Sequence, residues 1–91
     1  MESMHLEVRG RVQGVGFRWF VVEQARELEL AGWVRNNPDG RVEVAAAGPS
    51  EALAQLESAV RKGPRGARID AVQKLGSVPA GELPRPFEIA R

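Results

Sequence analysis

Residues 10–18 read GRVQGVGFR, and this stretch decides how the chain begins to fold. Before it, apolar and polar residues alternate from Met4 to Val12, which is the period of a half-buried strand. After it, apolar side chains recur at helical spacing from Phe17 onward: Phe17, Phe20, Val21, Ala25 and Leu28. Because two glycines separate these patterns, the sequence predicts a strand, a glycine-bearing loop and a helix in immediate succession.

The rest of the chain continues this pattern with four further elements and a short final strand. A strand over residues 30–36 and another over residues 41–47 are joined by the turn NPDG. A second helix begins near Pro49 or Ser50 and ends at Gly63-Pro64. A fourth strand follows over residues 67–75, with a bulge expected near Asp70 or Ala71, then a proline-rich loop over 76–86 and a strand over 87–89.

This order predicts an α+β fold of the ferredoxin-like type. The elements run βαββαβ with an added C-terminal strand, the split β-α-β arrangement, in which one antiparallel sheet carries both helices on one face. We expect residues 1–91 to form a single domain, since 91 residues with 43% hydrophobic content suffice for one core. The fold alone does not select a function.

Composition excludes several classes of function. The chain has no cysteine and one histidine, His5, so thiol chemistry and thiolate metal sites are excluded. No carboxylates are spaced as metal ligands, so we expect no metal and no cofactor. A net charge of +1 gives no reason to expect nucleic-acid or membrane binding. No apolar run approaches the roughly 20 residues of a membrane span, and no secretory signal is present, so the expected location is the cytoplasm.

The loop that precedes the first helix combines three features that bind anions. Glycines let backbone N–H groups turn toward a ligand, the start of a helix adds unpaired N–H groups, and Arg18 is a two-pronged donor. The glycine spacing fits neither a dinucleotide fold nor a nucleotide P-loop. On these residues alone, a phosphate site and an ordinary loop with a solvated arginine are equally supported.

A second segment makes the interpretation specific. Residues 32–36 read GWVRN, followed by Gly40, Val42 and Gly48. Together with GRVQGVGFR, this segment resembles the paired signatures of the acylphosphatase family, and the similarity extends over roughly residues 6–72. The resemblance implies hydrolysis of acyl phosphates, which are mixed anhydrides of a carboxylic acid and phosphate, to a carboxylate and inorganic phosphate without a metal.

The resemblance also assigns the site residues. It implies that Arg18 and Asn36 are catalytic, with Arg18 holding the phosphoryl group and Asn36 positioning the attacking water. The phosphate-binding loop would then comprise Gln13, Gly14, Val15, Gly16, Phe17 and Arg18. From the residues alone, Asn36 is more simply explained as a turn residue, although Asn37 is the better turn candidate. The division of tasks is physically reasonable, because phosphoryl transfer to water requires mainly charge stabilisation and alignment.

Several other residues receive structural interpretations. We expect Arg35 and Arg41 to be solvated, His5 to be structural on the exposed side of the first strand, and Trp33 to lie on the sheet face opposite Asn36. The family that the chain resembles usually has glycine after the first helix, where this chain has Glu29. We therefore predict a positive φ at Glu29, at a cost of about 1 kcal/mol.

Two alternatives to an enzyme remain open at this stage. The first is a non-catalytic module that binds phosphate or acyl phosphate, since similar domains occur within larger proteins, including the maturation factor that handles carbamoyl phosphate for nickel-iron hydrogenases. The second is RNA binding through the open face of the sheet, which the mild charge and scarce strand aromatics disfavour. The expected partners are a small acyl phosphate and its phosphate product, and the expected oligomeric state is a monomer.

Overall fold

A computed structural model describes residues 2–90 and gives the element order predicted from the sequence. The elements are β1 (Glu2–Arg11), α1 (Phe17–Glu27), β2 (Ala31–Asn36), β3 (Val42–Gly48), α2 (Ser50–Lys62), β4 (Arg68–Lys74), a 3-10 turn (Ala80–Glu82) and β5 (Glu88–Ile89). The five strands form one sheet in the order β4-β1-β3-β2-β5. The predicted ferredoxin-like class is confirmed.

One side of the sheet carries the core. The strand side chains that point toward the helices are fully buried, among them Leu6, Val8, Val34 and Val44. The helices contact each other and contribute their apolar residues to the same cluster, which includes Phe17, Val21, Leu56 and Val60. Alternation therefore leaves the other side chains of β1, β2 and β3 on the opposite face, which we call the open face.

The prediction of an antiparallel sheet is correct for four strands and wrong for β5. Strands β1, β2, β3 and β4 pair antiparallel, whereas β5 pairs parallel with β2. The connection after β4 explains this difference. This connection crosses the sheet at the end where β4 finishes. Hydrogen bonds between Ser3 Oγ and the backbone of Val78 hold its first part, and a hydrogen bond from Gly32 N to Pro84 O holds its last part. Because β2 begins at that same edge, the returning chain must run parallel to it.

Two local predictions about the backbone are confirmed. The pairing of β1 with β4 steps from Arg9↔Ala71 to Gly10↔Ile69, so Asp70 is the extra residue of a bulge. Glu29 has φ 57°, the only positive φ at a non-glycine residue in the part of the chain that the structure describes. The predicted loop 76–86 is irregular apart from its single 3-10 turn.

Candidate active site

The loop between β1 and α1 owes its path to two glycines. Gly14 and Gly16 both have φ 76°, the left-handed region in which other residues are strained. A Cβ atom built at either position would have no heavy atom within 4 Å, so the loop requires glycine for its backbone angles and not for lack of space. This open surface leaves room for a ligand to approach the backbone.

The start of α1 presents unpaired donors. Gly16 is the N-cap residue, no side chain caps the helix, and its first turn contains no acidic residue. The N–H groups of this turn and the positive end of the helix dipole are therefore available to an anion. Phe17 is buried in the core and anchors the turn, whereas Arg18 is half-buried. Within residues 2–90, no carboxylate forms an ion pair with the Arg18 guanidinium.

Asn36 occupies the last position of β2, where it pairs with Val42 of β3. Its side-chain Oδ1 atom is buried and has no hydrogen-bond partner within residues 2–90. A buried acceptor left without a partner costs about 1–3 kcal/mol, so such atoms in proteins are normally explained by a water or ligand that completes the site. The Asn36 amide oxygen is therefore an acceptor for which the described residues supply no donor.

The sheet topology brings these two parts together. Strands β1 and β2 both pair antiparallel with the intervening β3, so they run in the same direction and end at the same sheet edge. The Gln13 side chain spans the gap, because its Nε2 atom donates to the main-chain oxygens of Asn37 (3.0 Å) and Arg41 (3.1 Å). The loop that leads to Arg18 is thus hydrogen-bonded to the turn that follows Asn36.

The two asparagines have separate tasks. Asn37 closes the turn: its N–H donates to Arg41 O over 2.8 Å, and its own carbonyl accepts from Gly40 N over 3.1 Å. The Asp39 side chain accepts from Arg41 N, which completes the turn. The structural explanation that the sequence offered for Asn36 therefore applies to Asn37, and Asn36 belongs to the strand.

The open face holds a polar cluster that the sequence interpretation missed. Glu43 Oε2 lies 2.7 Å from His5 Nε2, and Glu43 Oε1 accepts from Arg35 Nη2 (3.0 Å) and Asn37 Nδ2 (2.9 Å). Burial opposes the ionisation of Glu43, but the hydrogen bonds from His5, Asn37 and Arg35 outweigh it and lower the pKa of the carboxyl from 4.5 to about 2. Glu43 is therefore ionised at neutral pH.

This cluster corrects the prediction that Arg35 and Arg41 are simply solvated. Arg35 binds Glu43, its Nε atom is buried, and its guanidinium lies 4.7 Å from the ring centroid of Trp33. Arg41 pairs with Glu7 at 3.3 Å. Trp33 lies on the open face, as predicted, where His5 contacts its ring edge-to-face. The acidic partners Glu43 and Glu7 belong to β3 and β1, so only the register of the sheet reveals these two ion pairs.

Residues 2–90 contain neither a cluster of metal ligands nor a membrane-spanning helix. Among residues 2–90, no three His, Asp or Glu side chains are grouped closely enough to hold a metal ion. In the same range, no helix is both long and apolar enough to cross a membrane. Surface cavities of about 230 Å³ beside Ser3 and Lys74 and about 260 Å³ beside Arg26 and Phe87 lie away from the loop and Asn36.

Comparison with known proteins agrees with the arrangement of loop, helix and strand end. The sequence profile of the acylphosphatase family matches residues 4–89. An acylphosphatase of Nitratidesulfovibrio vulgaris (strain DP4) is 55% identical, over 98% of this chain and 90% of that protein. The crystal structure of acylphosphatase from Bacillus subtilis superimposes with a TM-score of 0.92 at 41% identity, over 100% of both chains. HypF of T. kodakarensis contains a similar region, with a TM-score of 0.82 at 38% identity over 100% of this chain and 12% of that chain. The chain belongs to the acylphosphatase family.

Proposed function

We propose that this chain hydrolyses acyl phosphates to a carboxylate and inorganic phosphate, with Arg18 and Asn36 as its catalytic residues. The observation that carries the assignment of residues is the buried, unpartnered Oδ1 atom of Asn36, at the sheet edge from which the loop to Arg18 also departs. Family membership supports the reaction, and the geometry supports the division of labour between the two side chains.

The phosphoryl group binds to the loop and Arg18. Backbone N–H groups of Gly14, Val15, Gly16, Phe17 and Arg18 can surround the phosphate oxygens, because two left-handed glycines turn the loop and no side chain of the described residues caps the start of α1. The guanidinium of Arg18 adds a charged pair of donors with the spacing of two phosphate oxygens. This arrangement stabilises the charge that spreads over the oxygens in the transition state.

The attacking water binds to Asn36. Its amide oxygen accepts a hydrogen bond from the water, and its amide nitrogen remains available to donate to the phosphate. An aspartate at this position would lose that donor and repel the phosphate. Holding water and phosphorus in line converts an encounter in solution into a reaction between neighbours, which is the main source of catalysis in such a site.

The reaction needs no side chain that acts as a general acid. The water oxygen forms a bond to phosphorus as the bond from phosphorus to the acyl oxygen breaks, and the carboxylate leaves with the electron pair. Because a carboxylate is a weak base, it needs no proton. The proton of the water passes to a phosphate oxygen, so the product is inorganic phosphate. The protein supplies binding and alignment, and the substrate accepts the proton.

The test is hydrolysis of acetyl phosphate in the presence of a chelator. The wild type should be active, Arg18→Ala should lose both activity and stabilisation by inorganic phosphate in thermal denaturation, and Asn36→Ala should lose activity while it keeps phosphate binding. The matched control is Arg65→Ala, which removes an exposed arginine from another loop. A folded wild type that binds phosphate but does not turn over would indicate the non-catalytic binding module instead.

We also propose that residues 1–91 act as a single-domain monomer in the cytoplasm. The chain has no cysteine and a net charge of +1, which suits a reducing compartment and gives no strongly charged surface for a nucleic acid or a membrane. Light scattering at several concentrations tests the oligomeric state, and fractionation of the producing cells tests the location.

A further inference from the structure

Glu43 holds the two neighbours of Asn36 in the chain. One of its carboxylate oxygens, Oε1, accepts hydrogen bonds from Arg35 on one side of Asn36 and from Asn37 on the other. Both donors lie on the open face, whereas Asn36, which alternates with them along the chain, lies on the opposite face. A single atom on one face of the sheet therefore fixes the residues that flank the proposed catalytic side chain on the other.

The carboxylate is itself held in place. Its second oxygen bonds to His5 of β1, so Glu43 on β3 is tied to side chains from both neighbouring strands. Trp33 completes the cluster, since its ring contacts His5 and underlies the Arg35 guanidinium. The Glu43 side chain is only 12% exposed, and each of its hydrogen bonds involves its charge, which makes them stronger than neutral ones.

We propose that Glu43 is a positioning residue for hydrolysis. It lies on the sheet face opposite Asn36, so it acts through Arg35 and Asn37 and not on the reacting atoms. By fixing Arg35 and Asn37, it sets the backbone on both sides of Asn36 and thereby the direction in which the Asn36 amide points. This inference rests on the proposed role of Asn36 and goes beyond it, because it assigns a part in the reaction to a residue on the far side of the sheet.

A positioning role predicts a specific kinetic pattern. Displacing the water-binding amide leaves the phosphate loop intact, so substrate binding should persist while the chemical step slows. Errors of about 1 Å in the alignment of reacting groups cost up to about 100-fold in rate. Replacing a purely structural carboxylate would lower the fraction of folded enzyme, so the apparent kcat would return to the wild-type value once it is referred to the folded fraction; a positioning role predicts a loss of kcat that remains after this correction.

The experiment compares Glu43→Gln with Glu57→Gln. Glu57 is a matched control, because it is 19% exposed, binds two cations (Arg61 at 3.0 Å and Lys74 at 3.2 Å) and lies on α2, away from Asn36. With acetyl phosphate, Glu43→Gln should lower kcat by about 10-fold to 100-fold while KM and inhibition by inorganic phosphate change less than about twofold. Glu57→Gln should keep the wild-type kcat.

A second readout does not depend on turnover. The side-chain amide resonances of Asn36, identified by their absence in Asn36→Ala, should shift in Glu43→Gln and not in Glu57→Gln. If Glu43→Gln does not fold, Asn37→Ala removes one of the two flanking hydrogen bonds and should show the same loss of kcat at constant KM.

The outcomes separate the two proposals. A wild-type kcat in folded Glu43→Gln, with Arg18→Ala and Asn36→Ala inactive, would overturn the positioning role and leave the proposed function standing. Equal losses in Glu43→Gln and Glu57→Gln that follow stability would also overturn it. A folded wild type that fails to hydrolyse acetyl phosphate would overturn the proposed function instead.

Discussion

Gln13 and Asn37 are joined across the candidate site, with Nε2 of the glutamine side chain 3.0 Å from the main-chain oxygen of the asparagine. The same Nε2 atom also donates to the oxygen of Arg41, on the other side of the turn. The loop that leads to Arg18 and the strand end that carries Asn36 are therefore not positioned independently. This link gives Gln13 a task beyond its expected place in the phosphate-binding loop.

Replacing Gln13 should separate these two parts of the site. Gln13→Ala removes both hydrogen bonds, and we expect kcat/KM for acetyl phosphate to fall by about tenfold, because the water and the phosphoryl group are no longer held in register. Thermal stability should change by less than about 1 kcal/mol, since Gln13 is exposed. Gln73→Ala, at an exposed position of β4, is the control and should match the wild type. Unaltered kcat/KM in Gln13→Ala would mean that the link has no catalytic consequence.

The end of α1 offers a way to stabilise the protein. Glu29 closes the helix with φ 57°, and the accompanying hydrogen bonds run from Glu29 N to Arg26 O and from Leu30 N to Ala25 O. This is the left-handed helix ending in which glycine is preferred. Glu29→Gly should raise the free energy of unfolding by about 1 kcal/mol and Tm by roughly 4–8 °C, with activity unchanged. Glu29→Ala keeps the strained Cβ and should give no such gain, so equal stabilisation by alanine would point to the charge of Glu29 as the cause.

Local sequence signals predicted most of the fold. Alternation and helical spacing identified the strands and helices, and the break in alternation near Asp70 identified the bulge. The positive φ of Glu29 was predicted from the resemblance to the family and was also confirmed. The prediction of an antiparallel sheet was wrong for β5, because the direction of this strand depends on the edge at which the chain crosses after β4. That edge is set by contacts between residues far apart in the sequence, such as Ser3 and Val78.

The candidate site also combines features that are visible in local sequence with features that depend on distant residues. The two segments that contain Arg18 and Asn36 were visible as motifs, since each is continuous in the sequence. Glu43 was not visible in this way, because its partners lie on β1, on β2 and in the turn after β2. One of them, His5, is 38 residues away in the sequence. A strand glutamate between two apolar residues resembles any solvent-facing residue of a sheet. The register of β1, β2 and β3 shows that it faces a histidine, an arginine and an asparagine.

The first glycine of the GRVQGVGFR stretch has a packing role that can be tested. A Cβ atom at Gly10 would collide with Arg68 O and would lie 2.9 Å from Asp70 N, both backbone atoms at the bulge of β4. Because backbone atoms cannot move aside as a side chain can, Gly10→Ala should destabilise the protein by at least about 3 kcal/mol, measured by urea denaturation. Gly81→Ala places a methyl group where nothing lies within 4 Å and should cost less than about 0.5 kcal/mol. Similar stabilities for the two variants would be incompatible with the close approach of β1 and β4.

Glu43 should make stability depend on acid pH. Its pKa is lowered from 4.5 to about 2 in the folded state, so folding favours the ionised form. The resulting stabilisation is complete above pH 4.5 and is lost as the pH falls toward 2. A shift of this size corresponds to roughly 3 kcal/mol, which we reduce to about 2 kcal/mol because the partner Arg35 is 39% exposed.

The measurement is urea denaturation of the wild type and Glu43→Gln between pH 3 and 7. Glutamine cannot ionise, so the difference in the free energy of unfolding between the two proteins isolates the Glu43 carboxylate from the other acidic groups, including Glu57, whose pKa is also lowered. This difference should stay at its full value above pH 4.5 and should shrink steadily below it. A difference that stays constant down to pH 3 would show that the hydrogen bonds to Glu43 do not depend on its charge, and the network on the open face would then have to be held by shape and packing alone.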